Sequence, residues 1–171
     1  MNDTVLAALN DQINMEMYAF TTYLSMAAYF EAEALTGFSA WMRHHAEEEM
    51  VHAMKIYDFV HHRRGRVTLK ALAAPTTTWS SPLAVFEDAL HHEQNVTASI
   101  NALLDLATKE HDHATASFLQ WFVDEQVEEE EVVDTALQKL RRVKDFAPGL
   151  YMLDRELGEG SGGAEEEAEA E

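Results

Sequence analysis

The sequence predicts an all-α fold: a four-helix bundle with one long crossover and a short fifth helix at the C-terminal end. Only 7 Gly and 3 Pro occur among 171 residues, which is few for an all-β fold and ordinary for long helices. Apolar residues recur at helical spacing over four long segments. The links within each pair of segments are short and the link between the pairs is long, which favours two antiparallel pairs.

Residue types that begin and end helices bound these segments. Residues 2–4 (Asn-Asp-Thr) are good N-cap types, and Ser81 followed by Pro82 is typical of a helix start. Gly65 is a residue type that commonly follows the last turn of a helix. The predicted helices span about residues 2–33, 38–64, 82–109, 114–144 and 150–157.

The link of residues 65–81 decides the topology. It lacks helical periodicity, and an extended chain of this length reaches over ~50 Å. A helix of the length predicted for 38–64 is only about 40 Å long. The chain can therefore travel the full length of the bundle, so that the third helix starts parallel to the second.

Composition excludes several classes of function. Lys and Arg total 12 and Asp and Glu total 31, and the net charge of -19 argues against nucleic acid or an anionic membrane surface as a partner. The chain has no cysteine, which excludes disulfides, thiolate zinc sites, iron–sulfur centres and cysteine catalysis. No apolar run is long enough to span a membrane and the N-terminus lacks a signal-peptide pattern, so we expect a cytoplasmic protein.

The last 14 residues differ from the rest of the chain. Residues 158–171 consist of Gly, Ser, Ala and Glu, with six Glu and no basic residue. Such a segment has no apolar surface to bury. The sequence therefore predicts one domain over residues 1–157 and a disordered acidic tail over residues 158–171.

Carboxylates occupy the middle of the core-facing stripe of all four long helices. A helical wheel places at least one Glu there in each helix, among residues such as Leu9 and Ile13. Ionised Glu is almost never fully buried without a partner, and like charges brought together repel strongly unless cations neutralise them. The polar residues on the core-facing stripes are Glu16, Glu49, His52, Glu93, Glu125 and Glu129.

The kinds of side chain on these stripes indicate which metal they hold. Carboxylates with one imidazole favour hard or borderline divalent ions. Di-iron carboxylate bundles use a Glu from each of two helices and a Glu-x-x-His motif from each of the other two. Residues 49–52 form one such motif, Glu16 and Glu93 are the single carboxylates, and Glu129 has Val132 where the second His would stand. The sequence therefore predicts a di-metal centre in which one ion has fewer protein ligands and is held more weakly.

Residues 45–52, 92–94 and 118–130 resemble the corresponding stretches of bacterial non-haem ferritins, which belong to the ferritin-like di-iron family. Residues 149–157 resemble the short fifth helix of the same family, so the resemblance covers residues 1 to about 157. It implies an iron-storage protein that oxidises Fe(II) to Fe(III) with O2 or peroxide at a ferroxidase centre within each subunit. The product would be stored as a ferric oxyhydroxide mineral.

The resemblance also implies which residues bind the two irons of each subunit. Glu16, Glu49 and His52 would bind the first iron of the ferroxidase centre. Glu49 would bridge to a second iron, which Glu93 and Glu129 would hold.

Further residues follow from the same resemblance. Gln126 would lie beside the second iron. Tyr23 matches the family tyrosine that can donate an electron or hold Glu93 by a hydrogen bond, and a plain core aromatic is the alternative. A third iron position would use Glu48, Glu125, Glu128 and Glu129.

By resemblance, 24 subunits would form a hollow shell that Fe(II) enters through pores. Bacterioferritins, the haem-containing branch, keep His in the second motif, so Val132 argues against haem, whereas Met50 is compatible with either branch. We therefore expect no haem. The alternatives are a haem-containing bacterioferritin, a di-iron carboxylate oxidase that does not store iron, and a non-catalytic bundle with a hydrated acidic interior.

Three other features have two interpretations each. His45 lies on the core stripe one turn before Glu49 and is either a support for the ligands or a core histidine. Trp121 is either packing or an electron donor. The run 110–113 (Glu-His-Asp-His) is either a polar turn or the lining of a pore.

Overall fold

The computed structural model describes the backbone of residues 1–168 and the side chains of residues 1–160. Within that part of the chain all regular structure is helical, which confirms the predicted fold class. No helix in the described part is long and apolar enough to cross a membrane. The helices are α1 (Asp3–Ala32), α2 (Thr36–His62), α3 (Pro82–Lys109), α4 (His113–Val143) and α5 (Ala147–Ala168).

Two apolar clusters, one toward each end of the bundle, show the direction of each helix. The N-terminal half of α1 lies in the cluster that contains Leu9 and Val60, and the C-terminal half lies in the cluster that contains Phe30 and Phe38. Helix α2 starts in the cluster that contains Phe30 and Phe38 and ends in the cluster that contains Leu9 and Val60, and α3 does the same. Helices α2 and α3 are therefore parallel, as the long link predicts, while α1 and α4 run the opposite way.

The crossover follows the outside of α1. The Asn10 amide donates to the carbonyl oxygen of Arg66 (3.2 Å), and its oxygen accepts from the Thr68 backbone N–H (2.7 Å). Near the other end of α1, the Trp79 ring packs edge-on against Tyr29 at 5.5 Å between centroids. These contacts hold the link along the length of the bundle, which is the route that its extended length allows.

Side chains cap three of the helices in the way that the sequence suggests. The oxygens of Asn2 and Ser81 accept from the backbone N–H groups three residues later, at 2.9 and 3.2 Å. Asp112 caps α4 in the same way and also pairs with Arg63 at 2.9 Å. The Asp112 carboxylate therefore both caps α4 and binds Arg63 at this end of the bundle.

Helix α2 begins two residues earlier than predicted, and another helix supplies its cap. Gly37 lies inside the first turn, and the residue before the helix makes no side-chain cap. Instead Asp154 of α5 accepts a hydrogen bond from the Phe38 backbone N–H at 2.8 Å. A Cβ at Gly37 would lie 1.8 Å from the carbonyl oxygen of Asp154, so only glycine allows α5 to approach this closely.

Helix α5 is longer than the short fifth helix predicted for residues 150–157. Its backbone continues through 158–168, where the sequence predicts a disordered tail. Four glycines among residues 158–163 have low helix propensity, so the helix continues there against local preference, from a helix that has already formed over residues 147–157. The end of the predicted tail, residues 169–171, lies outside the described residues, and the domain boundary at 157 remains a prediction.

We expect Asp154→Ala to weaken the docking of α5 on α2. The change removes the cap of the buried Phe38 N–H and should cost about 1–2 kcal/mol of stability. Hydrogen exchange should then be faster at residues 37–41 and along α5, with the middle of the bundle unchanged. Asp145→Ala, an exposed aspartate in the link before α5, is the matched control. Equal exchange rates in the two variants would contradict this account of how α5 is held.

Candidate metal centre

A layer of polar side chains separates the two apolar clusters. The residues above and below this layer are aliphatic and aromatic, whereas its own members are acidic, imidazole or amide side chains from all four long helices. Each of them is between 0 and 6 % exposed, so their polar atoms depend on one another or on a bound ion. The members are Glu16, Glu49, His52, Glu93, Gln126 and Glu129.

One group within this layer has the geometry of a metal site. Glu16, Glu49 and His52 each offer a ligand atom, and these atoms lie within 4.8 Å of one another. Oxygens Oε2 of Glu16 and Oε2 of Glu49 are buried and accept no hydrogen bond from the described residues. Burial raises the pKa of Glu16 and, together with the charges of Glu93 and Glu16, raises the pKa of Glu49 well above its usual range.

Glu93 differs because both of its oxygens have partners. The Tyr23 hydroxyl donates to Oε1, and the Gln126 amide donates to Oε2 at 3.2 Å. Burial nevertheless raises the pKa of Glu93 to about 7. The pKa of Tyr23 is also raised, first by burial and then by the charge of Glu93. Of the two roles open to Tyr23, the contact with Glu93 is therefore present in the structure.

Glu129 connects the buried layer to a second acidic group. One of its oxygens lies 3.3 Å from Nδ1 of His45, and the same nitrogen lies 3.1 Å from Glu48. On the other side, Nε2 of His52 lies 3.8 Å from Glu125, and these two residues with Glu129 form a further group of ligand atoms within 4.8 Å. Glu129 thus belongs to two groups that could each hold an ion.

His45 has a larger part in the site than sequence analysis assigned to it. Burial alone would lower the pKa of His45, but hydrogen bonds to Glu129 and Glu48 raise it to about 9. Its ring lies between the rings of Tyr23 and Trp41, with centroid separations of 5.5 and 4.0 Å. The signal in the sequence was its position one turn before Glu49, which does not by itself identify the carboxylates that it contacts.

An acidic cavity of about 510 Å³ adjoins this second group. Helix α5 contributes to its wall through Glu156, whose carboxylate also pairs with Lys139 at 2.6 Å. Among the four residues expected at the third position, Glu128 is exposed at the cavity and belongs to none of the close ligand groups among the described residues. The predicted third-position carboxylates lining the cavity are Glu48, Glu125, Glu128 and Glu129.

The helical wheel was wrong for Val132. A wheel at about 100° per residue places Val132 on the core stripe of α4 with Phe122 and Ala136. Those two residues are buried, but Val132 is exposed and lines the cavity, and Val133 is buried in its place. Trp121 is half-exposed, with its ring 5.5 Å from the His52 ring and the Lys55 ammonium 3.5 Å above it.

The donor set fits divalent iron as a substrate. Carboxylate oxygens with one imidazole are the ligands of hard and borderline ions, and the chain has no cysteine thiolate. The two unpartnered oxygens in the first group are buried acceptors that a cation would satisfy. The group of Glu16, Glu49 and His52 could hold one ion, whereas Glu93 belongs to none of the close ligand groups among the described residues.

Comparison with known proteins agrees with the fold. The family model of the ferritin-like domain matches residues 6–143. The chain is 43% identical over 157 residues to the bacterial non-haem ferritin of Staphylococcus saprophyticus, covering 92% of this chain and 94% of that one. It is 40% identical to the bacterial non-haem ferritin of Staphylococcus aureus, with coverage of 92% and 95%.

Solved structures show the same likeness. An open-pore ferritin from the archaeon Archaeoglobus fulgidus superimposes with a TM-score of 0.91 at 48% identity, covering 92% of this chain and 98% of that one. An engineered closed form of the Archaeoglobus fulgidus ferritin gives a TM-score of 0.91 at 49% identity, with coverage of 92% and 96%. Since the family model spans most of the chain and these relatives cover more than nine-tenths of it, the chain belongs to the ferritin-like family.

Proposed function

We propose that this protein stores iron and that each subunit is a ferroxidase, which oxidises Fe(II) to Fe(III) with O2 or peroxide at a di-iron centre. The observation that carries the proposal is the buried group of Glu16, Glu49 and His52, in which Oε2 of Glu16 accepts no hydrogen bond from the described residues and Oε2 of Glu49 lies 3.5 Å from Nδ1 of His52. Relatives that are named bacterial non-haem ferritins support the storage role. The product is a ferric oxyhydroxide mineral kept inside an oligomeric shell.

The first Fe(II) binds to Glu16, Glu49 and His52. It can take Oε2 of each carboxylate, and it replaces protons that burial otherwise keeps on them. By resemblance to the family, Glu49 also bridges to the second iron, and its charge interacts with that of Glu93.

The second Fe(II) binds to Glu93 and Glu129, with Gln126 beside it. Its binding must compete with the hydrogen bonds from Tyr23 and Gln126 to Glu93 and from His45 to Glu129. This ion is therefore held more weakly and released first, which agrees with the absence of a second His in α4.

Oxidation requires electrons to leave the iron and a route for the ferric product. Hard carboxylate ligands favour Fe(III) over Fe(II), so the centre drives each ion to give up one electron to the oxidant. Tyr23, beside Glu93, and Trp121, beside His52, are the aromatic side chains placed to supply a further electron. Fe(III) then moves through the third position, formed by Glu48, Glu125, Glu128 and Glu129, into the acidic cavity.

The remaining assignments follow from the family. We infer a 24-subunit shell in the cytoplasm, with Fe(II) and O2 or H2O2 as its small-molecule partners and no haem. The charge of -19 per chain supports attraction of cations and disfavours a nucleic-acid partner. The run 110–113 supports at most a partial pore lining, because Asp112 is engaged with Arg63 and the α4 cap.

Replacing the bridging carboxylate should abolish the centre. With Glu49→Gln, we expect anaerobic Fe(II) binding to lose its tightest sites and the initial rate of oxidation in air to fall by about 10²-fold or more. Anaerobic titration and the absorbance of the ferric product measure the two effects. Glu47→Gln, an exposed glutamate two residues away, is the control and should behave like the parent. Parent-like oxidation by the Glu49 variant would show that the centre is elsewhere.

The metal-free protein should lose stability as the pH rises from about 4.5 to about 7, the interval between the usual pKa of Glu93 and its raised value. In this interval the unfolded chain has released the proton and the folded chain retains it, so the free energy of unfolding falls with pH. Each pKa unit is worth about 1.4 kcal/mol, which limits the effect to roughly 3 kcal/mol.

Glu93→Gln cannot ionise, so thermal midpoints of the metal-free variant should fall less steeply over this interval than those of the parent. Glu131→Gln removes an exposed carboxylate on α4 and should keep the slope of the parent. If the thermal midpoints of the parent and of the Glu93 variant fell equally steeply with pH, the pKa of Glu93 would not be raised in the folded protein.

The size of the native particle separates storage from the alternative of a small oxidase that acts on an organic substrate. A storage shell predicts a mass many times the 19.3 kDa of one chain and an iron content of many ions per subunit after loading. Native mass measurement with metal analysis tests both. A monomer or dimer that holds only two ions per chain would favour the oxidase.

A further inference from the structure

We propose that Gln12 and Ser99 form a buried clamp that limits Glu16 to binding the first iron through one oxygen, Oε2. The inference deepens the proposed function and rests on it, because it assigns a binding mode to a ligand of that centre. Gln12 and Ser99 are positioning residues, since neither contacts the ion. Sequence analysis assigned no role to either residue.

Gln12 connects Ser99 on α3 to Glu16 on α1. Its amide nitrogen donates to Oε1 of Glu16 at 2.8 Å, one helical turn along α1. Its amide oxygen accepts a hydrogen bond from the Ser99 hydroxyl at 2.6 Å. Gln12 is only 2 % exposed, so water has little access to its amide, and Ser99 is half-buried.

Chemistry fixes the direction of these hydrogen bonds. When an ion is bound, Glu16 is ionised and has acceptors only, so the NH2 group of Gln12 must then face Glu16. The amide oxygen then faces Ser99, whose hydroxyl is free to donate. Because helices α1 and α3 pack against each other, the Ser99 hydroxyl holds the amide plane in this orientation.

The consequence is that the two oxygens of Glu16 are unequal. Oε1 is occupied by the Gln12 amide, and Oε2 is buried and accepts no hydrogen bond from the described residues. An ion that took both oxygens would have to share Oε1 with the Gln12 amide, which weakens this oxygen as a ligand and holds the carboxylate at a fixed angle. An ion that takes Oε2 alone leaves the clamp intact.

The two single-carboxylate ligands of the centre thus contrast with each other. Glu93 has a partner on each oxygen, from Tyr23 and Gln126, whereas Glu16 has a partner on one. The clamp keeps Oε2 of Glu16 available for the ion and disfavours chelation by both oxygens. The first iron therefore keeps coordination positions that solvent or the oxidant can use.

Visible spectra of Co(II) bound to the metal-free, fully assembled protein test the clamp. The intensity of its d–d absorption per bound ion falls as the number of ligands rises. With Gln12→Leu, Glu16 is free to chelate, so we expect a weaker absorption from the first Co(II) than in the parent. We also expect the affinity for this first ion to fall by about 10–100-fold, as is typical when a hydrogen-bond partner of a ligand is lost.

Two variants of Ser99 keep the test valid if Gln12→Leu folds poorly. Ser99→Ala should shift the spectrum in the same direction by a smaller amount, because the amide loses the partner that orients it. Ser99→Thr retains the hydroxyl and should restore the spectrum of the parent. Gln120→Leu, an exposed glutamine on α4, controls for the change in side-chain type and should leave spectrum and affinity unchanged.

The outcomes separate this inference from the proposed function. If the parent binds Co(II) tightly but Gln12→Leu and Ser99→Ala give the parent spectrum, the clamp does not set the binding mode of Glu16 and the inference is overturned. If the parent itself binds no Co(II) and Glu16→Gln changes nothing, the assignment of the di-metal centre is wrong, and the role inferred for Gln12 and Ser99 is wrong as well.

Discussion

The structure depends on keeping several carboxylates in a dry layer between two apolar clusters. Burial and mutual repulsion both penalise their ionised forms, as the raised pKa values of Glu16, Glu49 and Glu93 show. Without an ion, the fold tolerates them by retaining protons and by hydrogen bonds from neighbouring amides and hydroxyls. A divalent cation removes both penalties at once. The affinity of this layer for a cation and the cost of burying its carboxylates without one therefore have the same physical origin.

The layer is asymmetric, and under the proposed function this asymmetry would give a direction to iron movement. Glu16 keeps one oxygen without a hydrogen bond from the described residues, whereas both oxygens of Glu93 have partners, which would favour binding at the first position over the second. Glu129 belongs to the layer and, through His45, to the acidic group beside the cavity. An ion that leaves the weaker position therefore meets carboxylates on the cavity side.

The bundle topology brings these residues to the same height. Each helix carries its polar residues near the midpoint, so helices that begin and end together place them in one layer whichever way they run. The crossover is what makes α3 start beside the start of α2, and its contacts along α1 keep it there. Helix α5 completes one end of the molecule through Asp154 and forms part of the cavity wall.

The sequence by itself determined the helices, the topology and the core-facing carboxylates, because helical periodicity, caps and link lengths are local properties. It did not determine the partners of those carboxylates. The contacts of Gln12 with Ser99, of His45 with Glu129 and of Asp154 with the start of α2 join residues from different helices. Hydrogen bonds form only within about 3 Å, and tertiary packing alone decides which side chains come that close.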